Sequence, residues 1–449
     1  RNNAHAEAFF RAVEQNIVGP NGLTLQSKVT ELRKVDGRWS TLPDKTANDK
    51  IEQAWIQWAK PKNCSASGLF SLAAMERQIA RTVARDGSCL VRKIRGKQAG
   101  KFGLKLQLLE IDHLDLQKFE QLPNGNLIRF GIEFDPLGAP VSYRIFTTHP
   151  GDTSIASLQR TSITIPASEI IHVFLPKRIS QCIGEPWLVS AMNSLQMLGK
   201  FEEYALVASM VGACKAGFYV KTGDGADNPM NGEQSDGGTF VQEAVPGAFE
   251  PLPEGWDFKQ FDPSQPNESN AGFAALILRE VCAGGGCAYT TISGDLSGTN
   301  YSSARVGLLD ERQLWMTLQN WLIETFAVPI FEEFLQFSML NRIIELPFEK
   351  FDKFNSPYFS GRRWDWVDPV SDAQALDIQI ALGVTSRSRY CAEQGRDFEE
   401  ILAELKKETE LAKEADVTIV TKDPLQNAKI AAMQKPVDSA SGSPITPKP

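Results

Sequence analysis

Along this chain, stretches where apolar residues recur every third or fourth position are interleaved with short ones rich in β-branched and aromatic residues. The spacing of Ala8, Phe9, Val13 and Ile17 predicts an amphipathic helix over Ala4–Ile17, stopped by Gly19-Pro20. Leu23–Val29 and Leu32–Trp39 read as short strands with an Asp36-Gly37 turn. A helix over Asp49–Lys60 carries Trp55 and Trp58, and another runs from Ser67 through Leu72, Met75, Ile79 and Val83 to Asp86-Gly87. Leu90-Val91, Leu106–Ile111, Ile128–Phe134 and Val141–Phe146 read as sheet strands, the last two joined by the turn Asp135-Pro136-Leu137-Gly138, and Ile165–Phe174 closes this α+β region. A long helix follows from Pro186, well placed in a first turn, to about Cys214, with Ala205, Ser209 and Ala213 recurring every four positions.

The most informative stretch is Ser269–Asn341. Phe273, Leu276, Ile277 and Val281 share one face of a helix over Ala271–Cys282, which Gly284-Gly285-Gly286 is expected to end. A polar loop, Ser293–Tyr301, leads to Ser302-Ser303 as helix starters. A second, longer helix then carries Leu308, Trp315, Leu318, Leu322 and Phe326 along one stripe. A polar loop at the tip of two packed helices is a part for touching something rather than for catalysis.

Charge sharpens the picture. The net charge is −8, which argues against a protein that coats DNA electrostatically. Between Gly217 and Pro266 lie nine acids (Asp224, Asp227, Glu233, Asp236, Glu243, Glu250, Glu254, Asp257 and Asp262) against Lys221 and Lys259, a local charge of −7. With its dense glycine and proline and its short apolar runs, this segment reads as a small strand-containing acidic module inserted between two helices. Phe398–Ala415 reads as a solvated charged helix, and Asp423 to Pro449, rich in proline, serine and lysine, as disordered.

At 449 residues the chain needs two or three domains. No apolar run is long enough to cross a bilayer, since Trp187–Ala213 is interrupted by Lys200, Glu202 and Glu203. Arg1 opens straight into a helical pattern with no signal peptide, and the missing methionine suggests that residues precede it. Seven scattered cysteines, with Cys282 and Cys287 the one close pair and no histidine near them, read as reduced thiols used as small apolar residues. His5, His113, His149 and His172 are far apart in sequence, and His172, in an apolar run, reads as a satisfied core residue. Trp364 and Trp366 beside Arg362 and Arg363 could stack on bases but more commonly pack a domain junction. No phosphate loop, no His-Glu-x-x-His and no Gly-x-Ser-x-Gly is present, so no catalytic residue, cofactor or metal is expected. A carboxylate-dependent nuclease using residues such as Asp112 and Asp115 stays open as an alternative, as does a capsid adaptor or scaffold.

The residues carry a family resemblance. The opening Arg1-Asn2-Asn3-Ala4 with Asn16-Ile17-Val18-Gly19, Leu106–Glu110 with Asp112, and Gly131-Ile132-Glu133 with Asp135 are similar to segments of tailed-bacteriophage portal proteins of the lambda-like group. So are Ile165-Pro166-Ala167 with Ile171–Phe174, Gln181 with Gly184-Glu185-Pro186-Trp187, Asn300-Tyr301-Ser302-Ser303-Ala304-Arg305, and Trp366-Val367-Asp368-Pro369 followed by Ala373, Ala375 and Gly383. Their order and spacing over residues 1 to 400 make the match specific. Asp86-Gly87-Ser88-Cys89 and the glycine triplet with Cys287 depart from the group's usual pattern.

The resemblance implies an α+β portal fold and a ring, usually a dodecamer, at one vertex of the phage head. Residues 1–185 would form a wing, 186–216 and 268–288 two stem helices, and 217–267 a clip between them. Residues 289–303 would hold a tunnel loop, 304–384 a return through the wing, 385–422 a crown and 423–449 a tail. The expected DNA-channel residues are Ser293, Gly294, Asp295, Leu296, Ser297, Gly298, Thr299, Asn300 and Tyr301. The expected partner-binding clip residues are Glu243, Glu250, Glu254, Asp257 and Asp262. Implied partners are copies of the chain, double-stranded DNA, the terminase large subunit, a head–tail adaptor and the major capsid protein, with no membrane, in a virion.

Overall fold

A computed structural model describes residues 3–35, 38–152, 161–213, 217–221, 256–260, 267–297, 300–364, 369–394, 396 and 398–415. It is a mixed helix-and-strand chain that divides into two compact units, residues 1–362 and 363–449. The Asp36-Gly37 turn, Cys214, the Trp366-Val367-Asp368 motif and the segment 423–449 lie outside the described residues.

The core of the first unit is aromatic. Helix Lys45–Trp58 sends Trp55 and Trp58 against Phe331 and Phe334 of helix Val328–Leu340, with Phe102 and Phe359 completing the cluster. Trp58 is fully buried, and its indole N–H donates to Leu104 O at 2.9 Å, so its one polar atom is satisfied. Lys93 and Arg95 close the edge of this core on the Glu333 carboxylate.

Two antiparallel sheets pack beside it. Ile170–Phe174, Ser88–Arg95 and Leu104–Glu110 form one, in that order. Ser162–Pro166, Pro140–Phe146, Ile132–Phe134, Leu127–Arg129 and Glu120–Gln121 form the other. Leu90, Ile111, Leu114, Ile132, Tyr143, Ile145 and Ile165 share the apolar cluster that both contribute to. Thr24–Ser27 pairs with Pro357–Ser360, bringing the two ends of this unit together.

Several elements differ from the sequence reading, each for a local reason. The single strand expected over Ile128–Phe134 is a hairpin, because Phe130 and Gly131 both take positive φ (51° and 75°). A Cβ at Gly131 would lie 2.6 Å from Asp115 O, while Phe130 is held in its strained conformation with its ring 4.8 Å from that of Phe119. Ile165–Phe174 is two strands in different sheets, parted by the turn Ala167–Glu169. The helix expected from Ser67 begins at Leu72 and is capped by Ser71, whose hydroxyl accepts from Ala74 N–H; Ser67 is spent on a local turn with Ser65 and Leu69. The first helix, Ala4–Val13, runs into a π turn, Glu14–Val18, that Gly19 ends.

The departure at Asp86-Gly87-Ser88-Cys89 has a packing cause. A Cβ at Gly87 would lie 2.4 Å from Gly184 O, so the two backbones touch. Ser88 Oγ accepts from Gly184 N–H at 2.9 Å in that buried contact. His172 is half-buried between Tyr143 and Phe174, and its Nε2 has no hydrogen-bond partner, so it is an apolar-packed ring and not a satisfied one. Burial holds its pKa down, to about 4. Arg362 donates to Gln15 O at 2.8 Å, with its stem against Gly19; Trp366 lies outside the described residues.

Among the described residues the second unit holds helices Pro369–Ala381, Arg387–Glu393 and Phe398–Glu414, the last close to its expected bounds. Among the described residues no helix is long and apolar enough to cross a membrane.

Candidate functional site

The long helices and the loop after them form the candidate site. The first helix spans Met192–Ala213, with Val189–Ala191 as a 3₁₀ turn before it, so Pro186 lies ahead of the helix rather than in its first turn. The second spans Asn267–Gly285 and packs against the first through Phe201 and Phe273, whose rings sit 5.0 Å apart. Ser194 Oγ donates to Glu280 Oε1 at 3.1 Å across the same pair.

Burial changes sharply along this pair. Leu195, Leu198, Leu278, Val281 and Cys282 are buried, yet Tyr204, Leu206, Val207, Met210, Phe273 and Leu276 are exposed, Leu206 by 64% and Leu276 by 62%. No charged residue occurs over Tyr204–Ala213 or Ala271–Leu278. Helices apolar on every side belong inside something larger, and contiguous apolar faces mark association surfaces. The expected stripes split accordingly: Ala205 is half-buried while Ser209 is exposed, and Ile277 and Val281 turn inward while Leu276 turns out.

The glycine triplet does two jobs. Gly284 and Gly285 lie inside the helix, where a Cβ would come within 2.9 Å of Ser190 Oγ and Phe9 Cε2 respectively, so they permit close packing rather than ending the helix. Gly286, at φ +71°, is the terminator.

After it, the short helix Tyr289–Ser293 and the helix Tyr301–Leu322 bracket the loop. Asn300 caps the second by accepting from Ser303 N–H at 2.8 Å, so Ser302 and Ser303 are already helical and the loop spans 294–300. The helix continues through a π turn, Ile323–Ala327, into Val328–Leu340, with Pro329 in the first turn of the latter. As expected, Trp315, Leu318, Leu322 and Phe326 are buried; Leu308, nearer the loop, is 41% exposed.

The loop's root is fixed and its tip is open. Glu311, buried, accepts from Thr291 Oγ1 through both oxygens (2.9 and 2.8 Å) and from the Trp315 indole N–H at 3.2 Å. Asp295 is turned back on its own loop. It accepts from Ser297 N–H at 2.9 Å, Ser297 Oγ at 2.6 Å and Tyr289 OH at 3.4 Å, and the Ser297 bonds lower its pKa. Leu296 is exposed and Gly294, in the left-handed region, has open space around it. Gly298 and Thr299 lie outside the described residues, as do Glu243, Glu250, Glu254 and Asp262. Within the acidic module, Gly217–Lys221 pairs antiparallel with Trp256–Gln260, and Asp257 is exposed in that second strand.

The fold also joins residues that sequence spacing could not connect. Glu110, Asp112 and His149 bring potential ligand atoms within 4.8 Å, with the His113 ring 5.1 Å from that of His149. His149 Nδ1 accepts from Gly151 N–H at 2.9 Å, so a neutral ring carries its proton on Nε2, which faces Glu110 at 3.2 Å and Asp112 at 3.7 Å. A metal would need a lone pair there. The group is a histidine–carboxylate contact, and Glu110 is further engaged by Arg85.

A family model described as phage portal protein, lambda family, matches residues 1–319. A probable portal protein of Halomonas phage phiHAP-1 is 31% identical over 402 residues, covering 89% of this chain and 76% of that protein. The portal protein of Escherichia phage N15 is 21% identical over 399 residues, covering 80% and 73%. Among solved structures, a chain from the virion of a native gene transfer agent particle aligns with TM-score 0.45 at 11% identity, covering 88% of this chain and 90% of that one.

Proposed function

Because the chain belongs to the lambda family of phage portal proteins, we propose that it closes into a ring at the head vertex of a virion and that double-stranded DNA enters and leaves through the ring's centre. The observation that carries this reading is the set of exposed apolar residues in the uncharged stretches Tyr204–Ala213 and Ala271–Leu278 of the helix pair, which a neighbouring copy would cover. The same patch on every copy meets a different patch on the next, a head-to-tail contact that closes when the rotation allows, with about twelve copies in the family's usual ring.

In this reading 1–185 and 304–384 are the wing, 186–216 and 268–288 the stem, 217–267 the clip, and 385–422 the crown. Loop 294–300 faces the duplex. Its one acid is tied up by Ser297 and Tyr289, and it offers no cation, so phosphates would meet only hydroxyls, amides and backbone N–H groups. Such contacts are weak and indifferent to base order, which suits a duplex that must keep moving. The acidic clip, with Glu243, Glu250, Glu254, Asp257 and Asp262, would dock basic surfaces of the terminase large subunit and head–tail adaptor by electrostatic steering. The major capsid protein would surround the wing.

Deleting Gly294–Gly298 tests the channel role. Rings should still form, because the root is held by Glu311, while packaging or retention of DNA should fall. Normal packaging of full-length genomes by the deletion would remove the loop from the mechanism.

A further inference from the structure

The one close cysteine pair is not accounted for by ring assembly or by the channel. Helix Asn267–Gly285 ends with Gly286 at φ +71° and with Cys287 N–H donating to Cys282 O at 3.1 Å. This is a Schellman motif, in which the residue three from the helix end and the second residue beyond it are brought into side-chain contact. Here those two residues are Cys282 and Cys287. Both are buried, both thiols are free, and Cys287 Sγ lies 4.0 Å from Cys282 O.

We propose that Cys282 and Cys287 form a redox-modification site, which a hydroperoxide converts into an intrachain disulfide stapling the end of this helix to the root of the loop.

The contact is polarised. The nearness of the two thiols holds that of Cys282 below its ordinary range and pushes that of Cys287 up. In the proposed reaction Cys282 is the attacking thiol and Cys287 the resolving one. Cys64 and Cys89, by contrast, are each pushed up to about 12 by burial and are poor competitors. In the first step the Cys282 sulfur attacks one peroxide oxygen and the O–O bond breaks. One water leaves with the Cys282 proton, and Cys282 becomes a sulfenic acid. In the second, the Cys287 sulfur attacks the Cys282 sulfur, the S–OH bond breaks, and the hydroxide leaves as water with the Cys287 proton. Two thiols lose two electrons in total and one hydroperoxide is reduced.

The expected consequence is local. The bond would close the turn over Gly286, where the backbone is freest, and so stiffen the base from which Tyr289–Ser293 and loop 294–300 project. The chain would leave a reducing cytoplasm as the dithiol and take the disulfide after release.

The test uses the full-length protein with hydrogen peroxide, followed by alkylation under denaturing conditions, trypsin digestion and mass spectrometry. The peptide Glu280–Arg305 holds both cysteines. It should appear unalkylated and lighter by two hydrogens, reverting with dithiothreitol, while Cys64 and Cys89 remain alkylatable. In C287S, which keeps a small side chain at the turn, Cys282 should stop at the sulfenic acid and be trapped by dimedone. Oxidation of the wild type should also raise Tm by on the order of a few degrees, and this shift should be absent in C287S. A peptide that stays dithiol while other cysteines oxidise, or a Cys282 that runs on to sulfonic acid in the wild type, overturns the site. A disulfide that leaves Tm unchanged overturns the staple.

Discussion

The aromatic core and the helix pair are both rich in apolar residues, yet the protein treats them in opposite ways. Trp58, Phe331, Phe334 and Phe102 are each buried to 1% exposure or less, and the Trp58 indole N–H is paired. Leu206, Met210 and Leu276 stand at 60% exposure or more in the uncharged stretches Tyr204–Ala213 and Ala271–Leu278 of their helices. The first region is finished by the chain itself; the second is finished only by another molecule. Composition along a helix therefore says where apolar surface must end up, and the packed monomer says whether its own fold has already put it there.

The largest effect separating the two regions comes from truncation. Phe334→Ala should cost about 3–5 kcal/mol of unfolding free energy, because the aromatic cluster cannot collapse around the hole. Leu206→Ala should change subunit stability by less than about 0.5 kcal/mol. Denaturant unfolding of both variants checks the contrast, and comparable losses would mean that the helix pair is already packed within one subunit.

A smaller effect is expected at the joint between the regions. Glu311→Ala removes the acceptor for Thr291 Oγ1 and the Trp315 indole N–H, and leaving a buried donor unpaired costs about 1–3 kcal/mol. Hydrogen exchange should then rise in 289–297 before it rises around Trp55. Uniform loss of protection would place Glu311 in the global core instead.

A pH effect is expected at helix Leu72–Asp86. Glu76 is buried, accepts from Leu23 N–H at 2.9 Å, and has its pKa raised by burial from 4.5 to about 8. Between those values the folded chain holds a proton that the unfolded chain has released, so stability falls as pH rises from about 4.5 to about 8. The slope from this group is at most about 1.4 kcal/mol per pH unit. Glu76→Gln keeps an acceptor for Leu23 and should flatten that slope. An unchanged slope would assign the pH dependence to other groups.

How far the sequence was legible follows the same division. Long periodic helices could be read directly, because the spacing of Trp315, Leu318, Leu322 and Phe326 has one physical meaning, and all four are buried. Ends and turns were harder, since they are settled by distant contacts. Gly284 and Gly285 stay within the helix and leave room for Ser190 and Phe9, Phe130 turns left-handed beside Phe119, and Gly131 does so against Asp115. Asn300, Ser302 and Ser303 could each cap a helix, and the hydrogen bond from Ser303 N–H singles out Asn300. For the candidate site, the loop and the paired helices were visible in the pattern. The exposure of the helices, the fixing of Asp295 by Ser297 and the Glu311 clamp were not, because each depends on side-chain geometry across the loop.

The central claim is that the exposed apolar faces of Met192–Ala213 and Asn267–Gly285 are covered by neighbouring copies in a closed ring. Sedimentation velocity of the purified chain, compared with a Leu206→Glu, Met210→Glu double variant, tests it most directly. From a subunit mass of 49.6 kDa the wild type should run as one large particle of about twelve subunits, and the double variant as a folded monomer. A wild-type chain that stays monomeric at micromolar concentration, or a double variant that still forms the same particle, would contradict the account.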